Sequence, residues 1–276
     1  MCDSHFHLNA NTDPTRTTTL RRKLIRAINK RFRKLRGEIR ERLLANGGPG
    51  DPEAFLDWLA QRTRHLIHGD ELTVNLTESD VPRWMGTVLD QAFTAGAQQA
   101  VSKLEAAGYA DLLSAGAIAR REAGARRRRA VLTRSLEDLT NATGEMRTQI
   151  RRQLLDGIDE GISPRDLARR LNNRVDKVGA ARARVIARTE TIRAHHKAQM
   201  AAYEEAQVEG VNVQAELNTT GDGLVCEECE GLEGQTFTLQ EAENLIPVHP
   251  NCRCAALPSI PRIADTDTDL QSAGVA

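Results

Sequence analysis

Aromatic side chains are scarce in this chain: two tryptophans, two tyrosines and five phenylalanines make up 3% of 276 residues. That excludes a core built on stacked rings, so packing must come from aliphatic side chains, and with alanine, leucine and arginine abundant those side chains read as helical. No run of 18 apolar residues occurs, which excludes an apolar membrane-crossing helix. The N-terminus is polar and the first apolar-rich segment is studded with arginine, a pattern unlike a signal peptide and one that predicts synthesis in a cytoplasm. Net charge is also missing, 38 basic residues against 38 acidic ones. The cancellation hides segregation: residues 1–45 carry +8, 46–119 carry −6, 120–193 carry +9 and 194–276 carry −11. Such blocks suit a chain that meets a polyanion with one part and a protein surface with another; a solvated surface with self-complementary packing is the blander reading.

The periodicities predict a mainly α fold with a small C-terminal α+β module stapled by a Cys/His cluster. Residues 1–15 read as a disordered arm. Residues 16–45 read as a basic amphipathic helix, with Thr17 to Thr19 offering N-caps and an apolar stripe at Leu20, Leu24, Ile28, Phe32, Leu35, Ile39 and Leu43. A Gly/Pro linker follows. Asp51, Pro52 and Glu53 then restart a helix, opening a helical body over residues 51–207. Gly108 closes a helix begun near Asp80, one or two long helices fill residues 109–160 until Gly161, Ser163 with Pro164 caps the next in "GISPRDLARRL", and the segment from Lys177 reads as one more helix, which Gly210 ends. Beyond it the texture changes: "VNVQAEL" and "GQTFTL" read as short strands around a turn, within a Cys/His-rich module over residues 208–258. Residues 259–276 read as a flexible acidic tail.

Four of the five cysteines fall in this module. Cys226 and Cys229 form a Cys-x-x-Cys knuckle, and His249, Cys252 and Cys254 follow, five soft donors where tetrahedral zinc needs four. Zinc is the reading the spacing favours. A module of about 50 residues with few aromatics has a thin core of its own, and a structural zinc site contributes about 10–16 kcal/mol in small peptides. Two alternatives stay open: disulfides joining the two pairs, and a catalytic thiolate with His249 as base. Cys2, His5 and His7 have metal-like spacing too, but in the arm, where coincidence is the simpler account.

"ARTETIRAHHKA", a strand, "VCEECEGLEGQTF" and "VHPNCRC", in that order, resemble the Mu F-like head morphogenesis (minor capsid) family of tailed viruses over about residues 140–258. The matched positions are Arg188, Thr189, Glu190, Asp222, Cys226, Cys229, Leu232, Gly234, His249, Pro250, Cys252, Arg253 and Cys254. A tryptophan frequent in the family's strand is absent from "QAELNTT", and His195 or His196 stands where an asparagine is usual. The resemblance implies a minor protein of the viral head, associated with the portal protein and with head assembly or genome delivery. Some relatives carry the same domain fused to toxins or enzymes; this chain reads as the plain structural form.

The helix over this segment presents Val185, Thr189, Ile192, His196, Met200 and Tyr203 on one face. Arg188 and His195, seven apart, are expected to hold the acidic module, and Glu190 to form an ion pair with Arg253. Arg21, Arg22 and Arg33, with Arg126, Arg127, Arg128 and Arg129, are candidates for contact with the portal or with the phosphates of packaged double-stranded DNA. The lack of aromatics beside them argues against single-strand stacking. Major capsid or scaffold proteins are further candidate partners, and no small-molecule substrate is expected. The expected location is the head interior near the portal, and the alternative function is a zinc- or cysteine-dependent hydrolase.

Overall fold

A computed structural model of the chain describes residues 13–45, 47–68, 82–109, 114, 117–118 and 121–260. Cys2, His5, His7 and the acidic tail from residue 261 lie outside the described residues. Five long helices run in order: α1 (Thr18–Ala45), α2 (Pro52–His68), α3 (Arg83–Ala106), α4 (Glu122–Asp159) and α5 (Pro164–Val208). Then come β1 (Gln214–Asn218), a single-turn α6 (Glu227–Glu230), β2 (Thr236–Phe237), α7 (Leu239–Ala242) and β3 (Ala255–Ser259). The strands form one antiparallel sheet in the order β2-β1-β3. The fold is thus mainly α with a small C-terminal α+β module.

Helix ends follow local chemistry. Ser163 caps α5 by accepting a hydrogen bond from the Asp166 backbone N–H at 3.1 Å, with Pro164 in the first turn. Gly161 and Gly210 take the left-handed backbone that stops α4 and α5. The start of α1 is tied down by Asp13, whose carboxylate accepts from Thr15 Oγ1 (2.7 Å), Thr18 Oγ1 (2.8 Å) and the Arg21 guanidinium. Asp13 to Thr15, expected in a disordered arm, are therefore held against the helix they precede.

The organising element is α5, against which α1, α3 and α4 all pack. Between Thr189 and Tyr203 only Arg193 and Lys197 escape full burial. A helix covered on every side needs small residues where its neighbours come close, and Ala187, Ala194, Ala198, Ala201, Ala202 and Ala206 supply them. One apolar cluster joins α1, α2 and α4 to the N-terminal half of α5; a second joins the end of α3 and the C-terminal half of α5 to the sheet and the cysteine loops. The module therefore shares its core with the helices.

The α1 stripe is as the sequence predicts, but it is spent inside the protein. Leu24, Ile28, Leu35, Ile39 and Leu43 are at most 1% exposed, so α1 is a wall of the core, and this apolar face has no room for a membrane or a docking partner. Strand β3 was not foreseen: Pro258 argues against a strand, yet it sits on an edge strand opposite Ala215, where a missing N–H is tolerated. Among the described residues no helix is long and apolar enough to cross a membrane.

Gly96 of α3 meets α5 backbone to backbone, and a Cβ built there would lie 2.1 Å from the His195 carbonyl oxygen. At Gly179 the obstacle is instead the Phe32 side chain, with Cδ2 at 2.6 Å and Cγ at 2.9 Å, atoms that shift more readily than backbone does. We expect Gly96→Ala to lower stability by about 3 kcal/mol, near the top of the usual overpacking range, and Gly179→Ala by about 1 kcal/mol. Urea unfolding of the two variants measures the difference, and equal losses would refute it.

A candidate metal centre

Two local devices bring the cysteines together. Cys226 is the N-cap of α6, its sulfur accepting from the Cys229 backbone N–H at 3.5 Å, which turns both thiols toward one point. Across from it, the Cys252 N–H donates to the His249 carbonyl (3.1 Å), and the Cys254 N–H donates to Cys252 Sγ (3.5 Å), forming a second tight turn. His249 Nε2 lies 3.1 Å from Cys226 Sγ and 3.2 Å from Cys229 Sγ. Its Nδ1–H donates to the Pro250 carbonyl at 2.8 Å, fixing the tautomer that leaves Nε2 as a lone-pair donor.

Ligand atoms of Cys226, Cys229 and His249 lie within 4.8 Å of one another, as do those of Cys229, Cys252 and Cys254. Tetrahedral zinc with 2.3 Å bonds to sulfur sets ligands about 3.7 Å apart, so small side-chain shifts suffice. None of the four cysteines is in a disulfide. Cys229 belongs to both groups, which makes it the centre of the set. The crowded thiols also drive one another's proton affinities apart: hydrogen bonding from Cys254 helps hold Cys252 down at about 5, while burial pushes Cys229 up to about 12. Such a set, with a thiolate already favoured and a histidine nitrogen aimed at the sulfurs, suits a thiophilic metal ion.

The other motif residues support this centre from outside. Arg253, between Cys252 and Cys254, makes a two-pronged ion pair with Asp222 in the turn before the knuckle, one contact at 2.6 Å. That pair holds the Asp222 carboxyl down at about 2. Gly234 adopts the left-handed backbone, and its N–H donates to the Leu217 carbonyl at 2.8 Å, turning the chain into β2. Thr189 Oγ1 accepts from the Asn251 N–H at 3.1 Å, and Asn251 also has a positive φ. This bond seats the second cysteine turn on α5.

Glu190 departs from expectation. It is wholly buried and pairs with Arg193, one turn along its own helix, while Ser135 Oγ donates to it at 2.6 Å. Arg253 is engaged by Asp222 and does not meet it. Burial raises the Glu190 carboxyl's proton affinity, against which Arg193 and Ser135 act. His195 does not hold the module by charge either. It is buried at the α3 crossing, neither ring nitrogen has a hydrogen-bond partner among the described residues, and burial lowers its pKa to about 4. Its neighbour His196 makes the link instead, donating from Nε2 to the Ala242 carbonyl at 2.8 Å. Lys197 adds bonds to the Glu243 carbonyl (2.6 Å) and carboxylate (2.9 Å). Gln199 and Tyr203 donate to the Ala256 carbonyl at 2.9 and 3.2 Å, anchoring β3.

The candidate DNA or portal contacts scatter. Arg21 is buried against Asp13. Arg127 turns inward to Glu204 (2.6 Å) and Glu243 (3.0 Å), and Arg128 pairs with Asp90 at 2.7 Å. Arg22, Arg33, Arg126 and Arg129 are exposed. Arg21 and Arg127 are thus structural, because acidic neighbours from other elements reach them first.

The described chain is a helical protein carrying a knuckle-type Cys/His module docked on its longest helix. Residues 148–257 match the family described as Phage Mu protein F like protein, and it is this segment that is similar to that family. Helices α1 to α3 and most of α4 lie outside the match. Comparison with curated proteins and with solved structures gave no match.

Two outcomes follow. Cys229→Ser, which removes the sulfur common to both groups, should abolish stoichiometric metal binding and loosen the module, whereas Cys226→Ser, at the exposed corner, should weaken binding while the fold persists. Metal analysis together with amide exchange of residues 214–259 reads both; unchanged metal content in the Cys229 variant would refute the assignment. His195 and His196, each held at about 4 against 6.5 unfolded, favour the folded state most above pH 6.5, and this contribution fades as pH falls from 6.5 to 4. Denaturant unfolding at pH 7 and pH 5 should show the loss, with a shallower pH slope in His195→Gln.

Proposed function

We propose that this chain is a minor structural protein of a tailed-phage head, in which a zinc-closed module makes a specific protein contact and the helical body holds that module in place. The observation that carries the reading is the coincidence of the family match with one physically connected unit. Arg253 and Asp222, Thr189 and Asn251, and the cysteine turns interlock within residues 148–257. Zinc would be held by Cys226, Cys229, His249 and one of Cys252 and Cys254, and would supply folding free energy to a module whose strands are two to five residues long.

The family supports a place in the virion, and the portal vertex inside the head is the site proposed, with the portal protein as partner and head assembly, DNA packaging or genome delivery as the process. The 3.1 Å approach of His249 Nε2 to Cys226 Sγ is also a nucleophile–base distance. The structural reading is favoured because the same nitrogen faces a second sulfur at 3.2 Å, an arrangement suited to shared metal ligation. Quantitative peptide mass spectrometry of purified, DNA-filled particles tests the proposal. A fixed amount at or below one copy per portal subunit is expected; absence from particles would overturn it and bring the hydrolase forward.

A further inference from the structure

Far from the cysteines, α1 and the N-terminal part of α5 run side by side and leave a groove of about 510 Å³ between them. Arg33, Arg36 and Arg40 line it from α1, and Arg165 and Arg169 from α5. Steps of three or four residues put the arginines of each helix on one face. Among the described residues the only carboxylate lining the groove is Asp176, which Arg36 engages at 2.6 Å, and Arg169 pairs with Asp166 at 2.7 Å. Arg33, Arg40 and Arg165 are exposed and have no ion pair among the described residues. Gly37 lies between the arginines of α1, and a Cβ there would meet nothing within 4 Å, so that part of the groove is open.

This pattern contrasts with other arginines of the body. Arg62, Arg127, Arg128, Arg182 and Arg193 each meet a carboxylate. Several guanidinium groups facing one groove repel one another, and a bound anion relieves that repulsion.

We propose that this groove binds the phosphodiester backbone of duplex DNA without regard to sequence. Guanidinium forks match phosphate oxygens in pairs. Arg33 and Arg40 are separated by about 10 Å of helix rise, roughly three steps of a DNA strand at 3.4 Å each. No aromatic ring among the described residues lines the groove, which disfavours stacking of unpaired bases. Its apolar lining is confined to Leu44 and the buried Ala168, poor anchors for a partner's helix. The inference deepens the virion reading but rests on the groove alone.

The test uses the full chain and fluorescence anisotropy with a mixed-sequence duplex of about 30 base pairs, titrated from about 50 to 200 mM salt. Neutralising the groove in R33Q/R40Q/R165Q is compared with R64Q/R83Q/R184Q, which removes the same charge from three exposed arginines elsewhere. All six side chains lie on the surface, and circular dichroism checks that both variants stay folded. We expect the groove variant to bind about tenfold or more weakly, its salt slope falling by about 3, while the control stays within about twofold. Equal losses in the two variants, or no duplex binding by the unaltered chain, would overturn the proposal. So would groove-dependent binding of an acidic peptide of residues 222–234 by a chain that leaves duplex unbound, which would mark the groove as a protein dock. Particle stoichiometry and metal content do not depend on these arginines, so this proposal and the virion reading fail separately.

Discussion

Burial on all sides of the stretch of α5 from Thr189 to Tyr203, Arg193 and Lys197 apart, is the constraint from which the rest of the architecture follows. A helix enclosed by other elements cannot solvate its polar side chains, so those that remain need partners inside, and of the buried ones in this stretch all but His195 have one. Glu190 takes Arg193 and Ser135, His196 takes the Ala242 carbonyl, Gln199 takes the Ala256 carbonyl, and Thr191 Oγ1 donates to the Ala187 carbonyl. Two of these partners, the Ala242 and Ala256 carbonyls, belong to the C-terminal module, so satisfying the helix and docking the module go together. The cysteine cluster closes the loops; the polar side chains of α5 decide where those loops sit.

Much of the helical framework was legible because its signals are local. The α1 stripe, the Ser163–Pro164 cap and the glycines ending α4 and α5 each act within a turn or two of the chain. The Cys/His donor set was legible for the same reason, since two short motifs supply it. One local signal was passed over: Thr238 and Glu241 form a reciprocal capping box that starts α7, at the spacing such boxes require.

What could not be read depends on meetings between distant segments. The four arginines from Arg126 to Arg129 look like one basic patch, but successive helical residues point about 100° apart. One of them turns inward to carboxylates more than 70 residues away, another meets Asp90, and the patch dissolves. Pairing of Glu190 with Arg253 was plausible from charge and motif proximity. It failed because Asp222, brought in by the turn before the knuckle, reaches Arg253 first, while Arg193 lies one turn from Glu190. The arginine groove was invisible for the complementary reason: its two rows lie more than 120 residues apart, and only antiparallel packing of α1 on α5 sets them face to face.

Helix α5 continues unbroken from Pro164 to Val208. At 1.5 Å per residue it is a strut of about 67 Å, and Thr189, which seats the second cysteine turn, stands about 30 Å along it from Arg169. Because no linker interrupts that span, the distance and relative orientation of the two ends are set by helix geometry. A tug on one end is felt at the other as displacement of a stiff rod, with no slack to absorb it.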